Sequence, residues 1–188
     1  ALPAWETAYS PEEIENAAQE SEETYRYSTN TAEMYLMDAG GDRIEAKEPV
    51  EPEEVEDGKK SCVLLVEDNA DIQKYLSQGL SAYFRVLRAS NGKEALEILE
   101  ENEEVNLILS DVMMPVMDGI KLCRQVKRNL KFCHIPLIML SARSDVKDQL
   151  EGLQTGADDY IPKPFLLEMV IAKIRNLLRT YRQAVEHY

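Results

Sequence analysis

Cysteine, histidine, glycine and long apolar runs are all scarce in this 188-residue chain, and each scarcity removes a class of function. The three cysteines, Cys62, Cys123 and Cys133, are odd in number and show no C-x-x-C spacing, so neither a disulfide framework nor a zinc site is encoded. They read as thiols of a reducing compartment, and the chain is read as cytoplasmic. Among its eight glycines, Gly152 and Gly156 make no G-x-G-x-x-G fingerprint, which argues against a dinucleotide enzyme. No apolar run approaches the roughly 18 residues of a membrane span, and no signal-peptide pattern opens the chain, so no membrane contact is expected. Basic residues are few as well. Against 35 acidic side chains there are 21 lysines and arginines, a net charge of −14, which argues against direct nucleic-acid binding.

The net negative charge lies mostly at one end. Residues 1 to 60 carry 17 acidic and 5 basic side chains, a net of −12, so the other 128 residues contribute only −2. Ser10-Pro11-Glu12-Glu13 reads as a capping box with proline in the first turn, which predicts a short helix from about Pro11. EMYLMDAGGDRIEA (33 to 46) reads as a hairpin around Gly40-Gly41. EAKEPVEPEEVEDGKK (45 to 60) is charged, contains proline and is poor in core residues, as linkers are. Residues 1 to 60 are therefore expected to be an acidic linker or extension, and residues 61 to 188 the folded domain. Because the first residue is Ala, the chain is read as part of something longer.

From Ser61 onward short apolar runs alternate with helix-period stretches. CVLLV (62 to 66), YFRVLRA (83 to 89), NLILS (106 to 110), PLIML (136 to 140) and DYI (159 to 161) predict strands. Between them Ile72, Leu76 and Leu80, then Ala95 and Leu99, then Ile120, Cys123 and Val126, then Val146, Leu150 and Leu153 stand at helical spacing. A last helix starts near Phe165 and keeps an apolar stripe through Val170, Ile174, Leu177 and Tyr181. Strands separated by helices imply a parallel sheet covered on both faces, an α/β doubly wound domain.

Sites in such a sheet form beyond the carboxyl ends of its strands. The first strand ends in Glu67-Asp68-Asn69 and the third in Ser110-Asp111, so neighbouring strands would crowd three carboxylates at one edge. Repulsion raises their pKa values unless a cation joins them, and a hard divalent ion, Mg2+, suits oxygen ligands. Ser141 at the fourth strand end adds a hydroxyl and Lys163 at the fifth an ammonium. Together they suit a transferring phosphoryl group, with one carboxylate as the nucleophile. Taken singly, each has a bland reading: a turn acid, a helix cap, a surface charge. Four at successive strand ends outweigh it. Met113, Met114 and Met117 have no His or Cys beside them and read as loop packing rather than a soft-metal site. His134 precedes a strand on the side away from the site and His187 lies at the terminus, so neither is read as a phosphohistidine. A dehalogenase-type phosphatase would need a second aspartate two residues beyond the nucleophile, where Met113 stands.

VEDN after the first strand, DVMMPVMDG after the third, LSAR after the fourth and GADDYIPKPF at the fifth together resemble the receiver domain of two-component response regulators over residues 61 to 185. The resemblance implies a flavodoxin-like sheet of five strands in the order 2-1-3-4-5. It implies that Asp111 is the phosphoacceptor, served by a histidine kinase or its phosphohistidine domain, and that the chain catalyses at most its own slow dephosphorylation. Asp68 would bind Mg2+ directly and Glu67 through water, with Asp111 and the main-chain carbonyl of Met113 completing the protein's share. Ser141 matches the switch hydroxyl, Tyr160 the switch aromatic and Lys163 the phosphoryl-binding lysine, with a cis bond between Lys163 and Pro164. Phosphorylation would change the face formed by the fourth helix, fifth strand and last helix. Leu2-Pro3 and the acidic stretch resemble a kinase ATP-binding domain running into a linker, as in hybrid sensor kinases, and the long last helix suits continuation to an output domain. A phosphorylation-independent interaction module of the same shape is the rival reading. Its mark is loss of an acidic or lysine site residue, and none is lost.

Overall fold

Runs of aliphatic residues with no polar alternation belong in strands buried on both faces. The computed structural model, which describes residues 59–102, 104–142 and 154–186, gives β1 (Cys62–Val66), β2 (Arg85–Ala89), β3 (Val105–Asp111), β4 (Leu137–Ser141) and β5 (Asp159–Pro162). All are parallel, in the order β2-β1-β3-β4-β5. Every residue of β1 and β4 is buried, and all of β3 except Asn106. Edge strand β2 exposes Arg85 and Arg88, and its register with β1 ends at Ala89 opposite Val66. The flavodoxin-like order stands as expected.

Helices α1 (Ala70–Ser81), α2 (Gly92–Glu101), α3 (Gly119–Arg128) and α4 (Leu167–Glu186) cover the sheet. The first three open on a side-chain cap: Asn69, Asn91 and Asp118 each accept from first-turn N–H groups. Each cap is worth about 1 kcal/mol against alanine. Ile72, Leu76 and Leu80 of α1, Ala95 and Leu99 of α2, and Leu122, Cys123 and Val126 of α3 are buried, while Ile120 only partly packs on the core.

Some boundaries differ from expectation. Tyr83 and Phe84 do not belong to β2, because both donate their N–H to Leu80 O and so complete the turn after α1. On α4 the buried stripe is Val170, Ile171, Ile174 and Leu178, with Leu177 half-buried, since that face follows i, i+4 spacing. The helix starts at Leu167 rather than Phe165. A bulge interrupts the β1–β3 register between Cys62 and Val63, and the Asn106 side chain compensates by accepting from Cys62 N at 2.7 Å. The expected elements around Pro11, 33 to 46 and Val146 to Leu153, most of the linker, and His187 lie outside the described residues. Among the described residues no helix is long and apolar enough to cross a membrane.

At the amino end of β4 and β5, Asp158 ties four elements together. Its carboxylate accepts from Lys127 Nζ and Leu137 N, each at 2.8 Å, and from the Tyr181 hydroxyl. Burial first, then this bond, holds the Tyr181 hydroxyl above its ordinary pKa. Tyr181→Phe removes a donor to a charged group that keeps two others. It should cost about 1.5 kcal/mol, the low end for charged partners, because the site is partly exposed and the carboxylate keeps two donors. Urea unfolding measures it, and an unchanged midpoint would mean that the bond stabilises nothing. Nearby, Lys60 Nζ closes the carboxyl end of α1 by donating to Ser81 O and Ala82 O, and Arg182 Nη2 donates to Ser61 Oγ at 2.7 Å.

Candidate functional site

The carboxyl ends of β1, β3 and β5 converge on one buried cluster. Glu67 directly follows β1 and is 1% exposed; Asp111 is the last residue of β3, at 6%; Lys163 directly follows β5, at 8%. Lys163 Nζ lies 3.0 Å from Asp111 Oδ2 and 3.2 Å from Glu67 Oε2. Asp68 completes the acidic group from the exposed side, and one carboxylate oxygen from each of Glu67, Asp68 and Asp111 lies within 4.8 Å of the others.

Local structure accounts for each position. The Glu67 N–H continues the sheet by donating to Ala89 O at 3.0 Å, and its Oε1 accepts from Asn69 N at 3.0 Å. Asn69 in turn caps α1 through Asp71 N and Ile72 N, so the helix start and the acidic strand end are one turn. Asp111 pairs with Leu140 on β4, and Val112 N extends that ladder to Leu140 O. Asp111 Oδ1 faces Met113 N at 3.4 Å. The loop returns through Val116 at φ +67°, a left-handed conformation uncommon for a β-branched residue, and Gly119 N closes it on Val112 O at 2.9 Å. A Cβ on Gly119 would stand 2.1 Å from Asp111 O. Lys163 N donates to Ser141 O at 2.7 Å, and the Lys163–Pro164 bond is cis, as the resemblance implied.

Charge crowding sets the electrostatics. Burial, and then Asp111, push the Glu67 carboxyl up to about 8, with Lys163 pulling it back. Asp68 is raised, chiefly by burial. For Lys163 burial works against the ammonium, but Asp111 and Glu67 outweigh it and hold the group above its ordinary range. Three carboxylates share one ammonium, an excess of negative charge that a hard divalent cation would relieve. Among the described residues no buried side-chain nitrogen or oxygen lacks a partner.

Every expected site residue lies in the described region. Glu67, Asp68, Asp111 and Lys163 are brought together. Met113 follows in the loop, 37% exposed. Ser141 is buried at the end of β4, in register with Pro162, beside the Lys163 backbone. Tyr160 sits back from the cluster, half-buried on β5 in register with Met139 and packed on the core. Two contributors were missed from sequence: Gly119, visible only as an Asp-Gly turn, and Gln73, whose amide reaches the carbonyls of Glu67 and Ala89. Nothing in a lone glutamine on a helix signals that reach.

Comparison with known proteins agrees with this fold. The family described as response regulator receiver domain matches residues 63–175. A histidine kinase P4 of Formosa agariphila is 40% identical over 120 residues, covering 64% of this chain and 9% of that protein. A probable transcriptional regulator, ycf27, of Porphyridium aerugineum is 40% identical over 127 residues, covering 67% and 51%. This chain thus spans about half, or far less, of these relatives' lengths. Among solved structures, the signal receiver domain of a signal transduction histidine kinase from Syntrophus aciditrophicus superposes with a TM-score of 0.60 at 35% identity, covering 64% of this chain and 91% of that one.

Proposed function

This chain belongs to the response regulator receiver family of two-component signalling, and on that premise we propose that Asp111 accepts a phosphoryl group from a histidine kinase phosphohistidine. The observation that carries the reading is Lys163 Nζ, at the end of β5, held within 3.2 Å of both Glu67 and Asp111 at the ends of β1 and β3. An Asp111 carboxylate oxygen attacks phosphorus; the O–P bond forms as the P–N bond breaks, and the departing imidazole nitrogen keeps the electron pair. Lys163 orients the Asp111 carboxylate and meets charge on the phosphoryl oxygens. Glu67, Asp68, Asp111 and the Met113 carbonyl would hold Mg2+, which when bound supplies positive charge to these carboxylates and to the phosphoryl group. Ser141, one residue beyond the neighbour of Asp111 on β4, offers a hydroxyl to the new acceptor oxygens. Its inward movement would leave space that the Tyr160 ring can fill, so β5 and α4 belong to the face that responds.

The test is incubation with acetyl phosphate and magnesium, read by mass spectrometry. One base-labile phosphoryl adduct on Asp111 is expected; none, or an adduct elsewhere, overturns the reading. We propose a place in a hybrid histidine kinase, which the histidine kinase relative supports, and with it a cytoplasmic location and an output domain in the parent chain. We further propose that residues 1 to 60 are an extension to the domain that begins at Ser61. Lys60 and Ser61 bond to α1 and α4, so a chain starting at Gly58 keeps both anchors. It should melt within about 4 °C of the full chain, the shift of roughly 1 kcal/mol at this size. A larger drop would show that the removed segment contributes to the fold.

A further inference from the structure

The Gln73 amide joins the carboxyl ends of β1 and β2 at the root of the acidic cluster. Its Nε2 donates to Glu67 O at 3.0 Å and to Ala89 O at 3.1 Å. Both partners are carbonyl oxygens, so only the NH2 end of the amide can face them. The paired register of β1 and β2 ends at Val66 and Ala89, and Gln73 continues the stitching one residue further. Its own backbone is fixed, since Gln73 N donates to Asn69 O at 2.9 Å in the first turn of α1.

The two carboxylates of this strand end are aimed differently. Glu67 is held by its side chain, through Lys163 and Asn69 N. Asp68 stands on the peptide plane that it shares with Glu67. A planar peptide leaves its two Cα positions no independent rotation, so anchoring the Glu67 carbonyl also orients the Asp68 Cα. We propose that Gln73 is a positioning residue for divalent-cation binding: its paired hydrogen bonds fix the Glu67–Asp68 peptide and thereby aim the Asp68 carboxylate at the cation site. The inference rests on the reading of Glu67, Asp68 and Asp111 as that site.

The full chain is compared with Gln73→Met, which keeps length and loses the donors, and with Gln73→Glu, which keeps shape and adds negative charge. Magnesium affinity is measured by calorimetry, melting in chelator, and the acetyl phosphate reaction as a function of magnesium. Gln73→Met should weaken magnesium binding about 10-fold, the usual loss when a partner behind a metal ligand is removed. The magnesium concentration for half-maximal phosphorylation should rise in step, while the rate at saturating magnesium stays near that of the parent. Gln73→Glu decides between positioning and plain electrostatics, because an added negative charge by itself would tighten cation binding. Affinity lost in Gln73→Glu supports positioning; affinity gained overturns it. A Gln73→Met chain that melts lower in chelator yet binds magnesium as the parent does also overturns it, leaving Gln73 a structural role only. If the parent chain binds no magnesium, the site reading itself fails; a parent that binds with variants indistinguishable from it sinks this inference alone.

Discussion

Asp111→Asn is expected to abolish the acetyl phosphate adduct completely and, at the same time, to raise the stability of the metal-free domain. The two effects have different origins. An amide has the shape of the carboxylate and can still face Met113 N and Lys163 Nζ, but it has no anionic oxygen to attack phosphorus. As for stability, three carboxylates and one ammonium leave the cluster at −2 when all are ionised, and the substitution brings it to −1. Asp111 is also the second cause, after burial, that lifts Glu67 to about 8. Relieving that repulsion should be worth on the order of 1 kcal/mol, about one pKa unit's equivalent. Urea unfolding in chelator gives the number, and magnesium should then stabilise the parent more than the variant. An Asp111→Asn chain that still takes up phosphate at the parent rate would remove Asp111 from the mechanism.

Lys163→Met should act in the opposite sense and more strongly. The Lys163 side chain is 6% exposed and those of its partners Glu67 and Asp111 1% and 9%, so this ammonium offsets two charges that water hardly reaches. Removing one side of a buried pair costs about 3 to 5 kcal/mol. The lower figure is expected here, because Glu67 already tends toward protonation and can take up a proton. Magnesium returns part of the loss by supplying the missing charge, about 2.7 kcal/mol at 100 times its dissociation constant. Phosphorylation should fall about 100-fold, the scale of one lost charge-stabilising donor. Equal stability of variant and parent in chelator would mean that Lys163 does not compensate these carboxylates.

Much of this arrangement was legible before any coordinates. β1, β3 and β4 were readable because unbroken aliphatic runs have little alternative to a doubly covered sheet, and Asp111 stood out as a charge at the end of such a run. Glu67, Asp68 and Lys163 followed from parallel topology, which sends all strand ends to one edge. Contacts between backbone and side chain were not legible. Tyr83 and Phe84 have strand-forming side chains, but their N–H groups are taken by Leu80. Leu177 and Leu178 are chemically alike, and only the rotation of α4 decides which is buried. Asp158 is one of two adjacent aspartates in the sequence, and its role depends on Lys127 and Tyr181 arriving from helices 31 and 23 residues away.

Gly119 carries no charge, touches no substrate and donates only a backbone N–H, yet its missing Cβ is what leaves room for the carbonyl of Asp111. Every amino acid that a single base change can put in place of glycine brings that Cβ with it. A genetic screen for chains that no longer take up phosphate would therefore collect changes at codon 119 alongside those at codons 111 and 163. Read without coordinates, such a screen would enrol among the chemical groups a residue whose whole contribution is to stay out of the way.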